Sequence, residues 1–354
     1  MLASTESGES VTVTGRTTIR DVAAAAGVSP TTVSHALNGK GRLDPRTRAR
    51  IQRTAERLGY QANRLARGLR SGRYGVQALW LPIEADPAST DALALDYYMR
   101  LASATATAFF ARGDVVMLIP PMTSADGLLS VPIDGAIVVE PHDSDARLAA
   151  LRQLEIATVT IERNPIDPDD PWCVASDTAF EIETLLDHLS DGGAERIALF
   201  TPEARGAWST EERDVYRAWS TRHGRVPVTR PVSMRTAFET ARHAVRGVLR
   251  SASPPDAIVL GAERFVHGAM RAIADADLAV PGDLLVAAAV DGNHARSSTP
   301  PLTAVDLQPE QQAAAAAELL WSRLDGDAPR GQWVVPGVLR VRQSSRRSGN
   351  LVAP

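Results

Sequence analysis

Ile19-Arg20-Asp21-Val22-Ala23-Ala24-Ala25-Ala26-Gly27-Val28-Ser29-Pro30-Thr31-Thr32-Val33-Ser34-His35-Ala36-Leu37-Asn38 is the stretch that decides the fold of the amino-terminal part. Thr18 stands where an N-cap belongs, three residues ahead of Asp21. The pair reads as a capping box whose carboxylate also suits the positive end of the helix dipole. The helix runs through the alanines and stops at Gly27. Ser29 and Pro30 then open a second helix, as N-cap and first helical residue. Val33, Ala36 and Leu37 share one face of it at i, i+3 and i+4, which leaves Thr31, Thr32, Ser34, His35 and Asn38 on the others. Two short helices joined by a Gly-Val turn, the second rich in small hydrogen-bonding side chains, describe a helix-turn-helix. A third helix begins at Asp44-Pro45, buries Ile51, Ala55 and Leu58, and stops at Gly59. Its outer face holds Arg46, Arg48, Arg50, Arg53 and Arg57.

Charge separates this head from the rest. The chain of 354 residues has a net charge of -4, which hides two unlike parts. Between Met1 and Tyr74 there are 13 basic residues against 5 acidic ones, a surplus of 8; the remainder carries 25 basic against 37 acidic, a deficit of 12. A small basic head on a large acidic body is the pattern of a nucleic-acid-binding domain attached to something else. A generic three-helix bundle without a partner is the plain alternative, and the turn chemistry, the polar second helix and the positive surplus all weigh against it.

With those residues in view, the head resembles the lactose-repressor (LacI/GalR) family of transcription regulators. So does Leu58-Gly59-Tyr60-Gln61-Ala62-Asn63-Arg64-Leu65-Ala66-Arg67-Gly68-Leu69-Arg70 downstream of it. The resemblance implies that Thr31 and His35 face base edges in the major groove and that Pro30, which has no donor, lies beside them. It implies phosphate contacts from Thr32, Ser34 and Asn38, with Thr18, Tyr60, Asn63, Arg64, Ala66 and Arg70 completing the DNA-binding set. His35 departs from the arginine common in the family. Arginine reads guanine with two hydrogen bonds, whereas histidine offers one, so the preferred base there is open. The segment from Asn63 to Arg70 matches the family's hinge helix. Its stripe of Leu65, Ala66 and Leu69 is too short for a stable isolated helix, and Gly68 weakens it by about 1 kcal/mol relative to alanine. Such a helix orders on DNA, and Leu69 matches the leucine wedged into a central base step from the minor groove. An ordinary linker with one buried leucine is the alternative.

From Gly75 onward apolar runs alternate with longer amphipathic stretches. Strands are expected at 76–81, 115–119, 135–139, 157–161, 196–200, 257–260 and 284–289. Helices are expected at 95–112, 144–154, 179–190, 211–223, 236–251 and 265–276. Alternation at this spacing implies parallel sheets built from βαβ units. The fold class is therefore α/β: an all-α head followed by two doubly wound parallel-sheet lobes. The order resembles the family's periplasmic-binding-protein-like core, with local matches at Asp134–Val139, Arg196–Leu199, Val280–Asp283 and Thr299–Thr303. The expected division is a disordered tail (1–16), the helix-turn-helix domain (17–62), hinge helix and linker (63–74), the core (75–345) and a second tail (346–354). Within the core, lobe 1 takes about 75–175 and 297–326, and lobe 2 about 178–291 and 330–345. By resemblance the chain crosses between lobes near 175–178, 291–296 and 325–330.

An effector would then lie in the interlobe cleft, at the carboxyl ends of the strands. Position matching assigns Tyr97, Tyr98, Asp143, Asp177, Thr178, Thr210, Arg213 and Asp291 to that pocket. Aromatics with a few carboxylates suit a sugar, rings stacking on its apolar face and carboxylates accepting hydroxyl hydrogens. The tyrosines could equally be packing residues, and Asp177 or Asp291 a helix cap. Two departures leave the effector open: Ala262-Glu263 stands where many relatives have Asn-Asp, and the loop 202–210 differs, so an effector of other chemistry, or none, is also consistent with the sequence.

The sequence excludes much else. One cysteine, Cys173, rules out an intramolecular disulfide framework and a cysteine-ligated zinc site. No apolar run approaches the roughly 18 residues of a membrane span, and the first sixteen residues lack an apolar signal core, so a cytoplasmic, nucleoid-associated protein of a bacterium is expected. There is no nucleophile elbow, P-loop, dinucleotide fingerprint or paired-histidine zinc motif. The expectation is no enzyme, no metal and no cofactor. A palindromic operator of double-stranded DNA requires a homodimer or higher oligomer, with the first core helix and the carboxyl-terminal lobe as its interface. Three readings remain: a DNA-binding regulator, expected to be a repressor, tuned by a small-molecule effector; the same scaffold acting without an effector; and a solute-binding receptor. The last is disfavoured by the basic head and the absent secretion signal.

Overall fold

A computed structural model describes residues 17–37, 41–60, 73–82, 96–119, 131–203, 206–329 and 331–347. The chain divides at Tyr74–Gly75 into two compact units. In the first, three helices, α1 (Ile19–Ala26), α2 (Pro30–Leu37) and α3 (Pro45–Arg57), surround a core of Val22, Ala23, Ala26, Val33, Ala36, Ile51 and Ala55. The capping box forms: the Thr18 side chain accepts from the Asp21 backbone N–H, and the Asp21 carboxylate accepts from the Thr18 N–H at 2.8 Å. Those bonds hold the Asp21 carboxyl below its ordinary range. Gly27 closes α1 in the left-handed conformation (φ 63°) that glycine adopts without strain.

The second unit is built on two six-stranded sheets. Its strands are β1 (Val76–Trp80), β2 (Val115–Leu118), β3 (Gly135–Val139), β4 (Ala157–Ile161), β5 (Cys173–Ser176), β6 (Ile197–Pro202), β7 (Val228–Val232), β8 (Ala257–Leu260), β9 (Leu285–Ala288), β10 (Thr303–Asp306), β11 (Trp333–Val335) and β12 (Val338–Arg340). Its helices are α4 (Asp96–Ala111), α5 (Ala146–Gln153), α6 (Thr178–Asp191), α7 (Ala207–Arg222), α8 (Ala237–Leu249), α9 (Val266–Ala274), α10 (Asn293–Ser297) and α11 (Pro309–Asp325). The first sheet runs β11-β5-β4-β3-β1-β2, all neighbours parallel; the second runs β12-β10-β9-β8-β6-β7, antiparallel only at β12. Central strands such as β3 and β8 are buried along their whole length, as their unbroken apolar runs require when helices cover both faces. One apolar cluster runs continuously from Leu79 and Ile137 in the first lobe, through the alanines of α11, to Leu185, Leu199 and Trp219 in the second.

The lobe boundaries differ from the sequence reading. The first crossing falls at Ser176–Thr178, between β5 and α6. The second lies between β10 and α11, and not at 291–296; the third lies between β11 and β12, and not at 325–330. Residues 297–306 therefore belong to lobe 2, and β11 joins lobe 1. The cause is pairing across long separations: β10 lines up on β9, and β11 on β5. Strands β5, β7, β10, β11 and β12 and helices α10 and α11 add to the expected elements.

Candidate functional site

In the head, α2 presents Pro30, Thr31 and His35 outward, all exposed. Ser29 caps the helix by accepting from the Thr32 N–H at 3.1 Å, and its hydroxyl meets that of half-buried Thr32 at 2.9 Å. Ser34 differs from its expected place on the outer face. It is only 6% exposed, because it lies beside Val33 and one turn before Leu37 on the inward side. The His35 ring rests against Gly41: a Cβ there would stand 3.0 Å from Nδ1. Arg48 donates to the Gly41 carbonyl at 3.2 Å, so α3 braces the turn that braces His35. Arg46, Arg50, Arg53 and Arg57 remain exposed on α3. Tyr60 is half-buried against the helical core. Asn38, Asn63, Arg64, Ala66, Leu69 and Arg70 lie outside the described residues.

In the body, the carboxyl ends of the strands collect the polar groups. Tyr97 and Tyr98 open α4 with their rings edge to face, centroids 5.2 Å apart. The Tyr97 hydroxyl donates to Gln312 Oε1 at 2.6 Å, and that of Tyr98 to Glu140 Oε1 at 2.9 Å. Burial, then neighbouring glutamates, push both phenols well above their ordinary range. Glu140 and Glu162 follow β3 and β4 directly. Both take left-handed backbone (φ 47° and 72°), a conformation seldom adopted by residues other than glycine. Burial raises the Glu140 carboxyl, and it raises Glu162 to about 7 and Glu181 to about 8. Across the cleft, Glu212 is raised to about 8 by burial, held by the Thr201 hydroxyl at 2.6 Å, and Glu263 is raised also.

The expected pocket residues do not form one cluster of shared contacts. Tyr97 and Tyr98 stand together at the cleft, as described. Asp177 caps α6, its Oδ1 accepting from the Phe180 N–H at 3.2 Å, and Thr178 beside it is fully buried. Thr210 is exposed and accepts from Arg213, whose other nitrogen holds the Pro202 carbonyl at 3.1 Å. Asp291 is buried against a two-pronged Arg342 (2.9 and 2.7 Å), so its charge is already met. Asp143 is half-buried in the loop after β3.

Polar contacts join the lobes around this region. Arg296 of α10 reaches Asp96 of α4 at 2.7 Å and Asp291 at 3.7 Å. Arg163, after β4, reaches Glu211 of α7 at 3.2 Å. His142 and Gly206 pair as a single antiparallel bridge. Glu140, Glu162, Glu181, Glu212 and Gln312 escaped the sequence reading. The one available signal was the placement of Glu140 and Glu162 immediately after an apolar strand. Cys173 is buried, its thiol pushed up to about 12. Among the described residues, no helix is long and apolar enough to cross a membrane.

Residues 18–63 match the family described as bacterial regulatory proteins, lacI family, and residues 186–345 match the periplasmic binding protein-like domain. The maltose regulon regulatory protein MalI of Escherichia coli K12 is 32% identical over 188 residues, 51% of this chain and 52% of that protein, so this match spans about half of each. The ribose operon repressor of the same organism is 24% identical over 87% of this chain and 93% of its own length. Among solved structures, a lac repressor dimer bound to operator and the anti-inducer ONPF superposes with a TM-score of 0.78 at 20% identity, covering 94% of this chain and 100% of that one.

Proposed function

We propose that this chain, whose head matches the lacI family of bacterial regulatory proteins and whose body matches the periplasmic binding protein-like domain, is a lacI-family regulator: a cytoplasmic transcriptional repressor without catalytic activity, binding a palindromic operator as a dimer under control of a small molecule in the interlobe cleft. The observation that carries the reading is the head: a capped helix-turn-helix with Pro30, Thr31 and His35 exposed on α2 and four exposed arginines on α3. In this reading Thr31 and His35 meet base edges. Ser29-capped Thr32, together with Asn38, meets phosphates, and the arginines supply the salt-dependent affinity. Ser34, being buried, supports α2 from within. Leu69, by its match to the family's hinge leucine, is the residue proposed to contact the minor groove.

Dimer formation is supported by exposed apolar side chains, Met99 and Phe110 of α4 and Leu118 of the edge strand β2, of which Phe110 is 72% exposed. The names of the relatives, one of a maltose regulon and one of a ribose operon, support a sugar as effector. The cleft chemistry agrees: half-buried Tyr98, packed edge to face on buried Tyr97, offers a ring for stacking. Burial disfavours the charged form of the glutamates here, an environment that suits hydroxyl groups better than a negatively charged ligand. A ligand can move the lobes only by binding their arrangements unequally.

The test is a titration of sugars and other cytosolic metabolites against the full chain on a labelled fragment recovered by footprinting the host genome. A neutral sugar that changes operator affinity supports the reading. No change with any metabolite pool would leave the same scaffold acting without an effector.

A further inference from the structure

The three crossing segments between the lobes are tied to one another by a buried network that shares Tyr97, Glu162 and Glu181 with the effector reading but links the crossings directly. At the first crossing, Ser176 Oγ donates to Glu162 Oε1 at 2.5 Å, and Gln312 Nε2 donates to Ser176 Oγ at 3.1 Å. Gln312 in turn accepts from Tyr97 and sits in the first turns of α11, just past the second crossing. At the third crossing, the Gly337 N–H donates to Glu181 Oε1 at 2.7 Å, and Gln308 Nε2, from the second crossing, donates to the Pro336 carbonyl at 2.7 Å. Glu162 belongs to lobe 1 and Glu181 to lobe 2, and Glu181 lies within the field of Glu162.

This junction is tight and buried. Glu162, Ser176, Glu181 and Gln312 are all buried. A Cβ on Gly337 would stand 2.7 Å from Val305 Cγ1 and 2.8 Å from Glu181 Oε1. Glu162 (φ 72°) and Gln308 (φ 54°) both hold left-handed backbone, and Glu181 Oε2 is buried with no hydrogen-bond partner. Glu162 is faced by Glu140 from β3, Tyr97 from α4, Cys173 from β5 and its neighbour Arg163, whose guanidinium is drawn to Glu211. Glu181 is faced by Glu162, by Asp177 from its own helix cap and by Glu211 from α7. Neither carboxyl has a salt bridge among the described residues, so two charges here would repel across the junction with little counterion.

We propose that Glu162 and Glu181 form a proton-operated latch in the hinge, holding the lobes in this arrangement while both are neutral and releasing it when they ionise. Ionised together, they must be hydrated or separated, and either requires the crossing segments to part. Their values of about 7 and about 8 place the release just above neutrality. The latch would respond to pH whether or not any effector binds, so its failure would leave the regulatory reading untouched.

Double electron–electron resonance on the full chain tests it, with spin labels at S144C in lobe 1 and D214C in lobe 2, both exposed positions. Buried Cys173 stays unlabelled. The expected result is one distance at pH 6 and a second, reversible population at pH 9. In E162Q/E181Q, whose amide oxygens keep the bonds to Ser176 and Gly337, the pH 6 distribution should persist at pH 9. Identical distributions at both pH values in the parent, or the same pH shift in the double variant, would overturn the latch. Circular dichroism at each pH confirms folding, and E181Q alone should reduce the second population at least twofold.

Discussion

Replacing Glu212 with glutamine should stabilise the protein, and the gain should grow with pH. Glu212 is fully buried on α7, one oxygen held by the Thr201 hydroxyl and the other against the Gly261 backbone without a partner. Burial lifts its carboxyl from 4.5 to about 8, which corresponds to roughly 5 kcal/mol against the charged form. Because the folded value lies above the unfolded one, the stability conferred by the neutral carboxyl is complete below about 4.5 and is lost as pH rises through about 8. Glutamine keeps the acceptor for Thr201 and never ionises. At pH 5 the two proteins should agree within about 1 kcal/mol, and at pH 8 Glu212→Gln should be the more stable by about 4 kcal/mol. For a body of this size that is a Tm difference of roughly 8–16 °C. All six tryptophans lie beyond Tyr74, so fluorescence-detected unfolding reports the body alone. A gap that stays constant from pH 5 to pH 8, or a variant less stable at pH 8, would refute the burial argument.

Other perturbations act on the head and the dimer. Leu69→Ala should weaken specific operator binding while leaving nonspecific binding in place; equal loss of both, measured by fluorescence anisotropy on matched duplexes, would sink the wedge. Arg53→Ala should lower affinity for every sequence and flatten the slope of log K against log salt by about one; an unchanged slope would place Arg53 off the DNA. Phe110→Asp should weaken the dimer about 100-fold, roughly 3 kcal/mol, seen by sedimentation as a shift to monomer; a dimer of unchanged strength would put the interface elsewhere.

The head was legible because its signals are local. Thr18, Gly27, Ser29, Pro30, Asp44 and Gly59 each mark a boundary through their own backbone chemistry, and α1, α2 and α3 fall between them. Strands buried on both faces were legible as apolar runs. The edge strand β7 was not, since Thr229, Arg230 and Pro231 face solvent there or at the margin of the sheet. Helix α11 was hidden by its run of five alanines, which blurs the contrast between faces that periodicity needs. In the cleft, Tyr97 and Tyr98 could be found by position. Nothing near Asp291 announces Arg342, which pairs with it from 51 residues away, and the raised carboxyls of Glu162, Glu181 and Glu212 follow from depth that no local pattern encodes.

The most direct test of the whole account is selection of duplexes from a random pool by the intact chain, followed by sequencing of what it retains. The account predicts one enriched motif with two-fold symmetry, whose half-sites are read by α2 of each protomer and lose their preference at one symmetric pair of positions in His35→Ala. An asymmetric motif, or retention without any sequence preference, would contradict it.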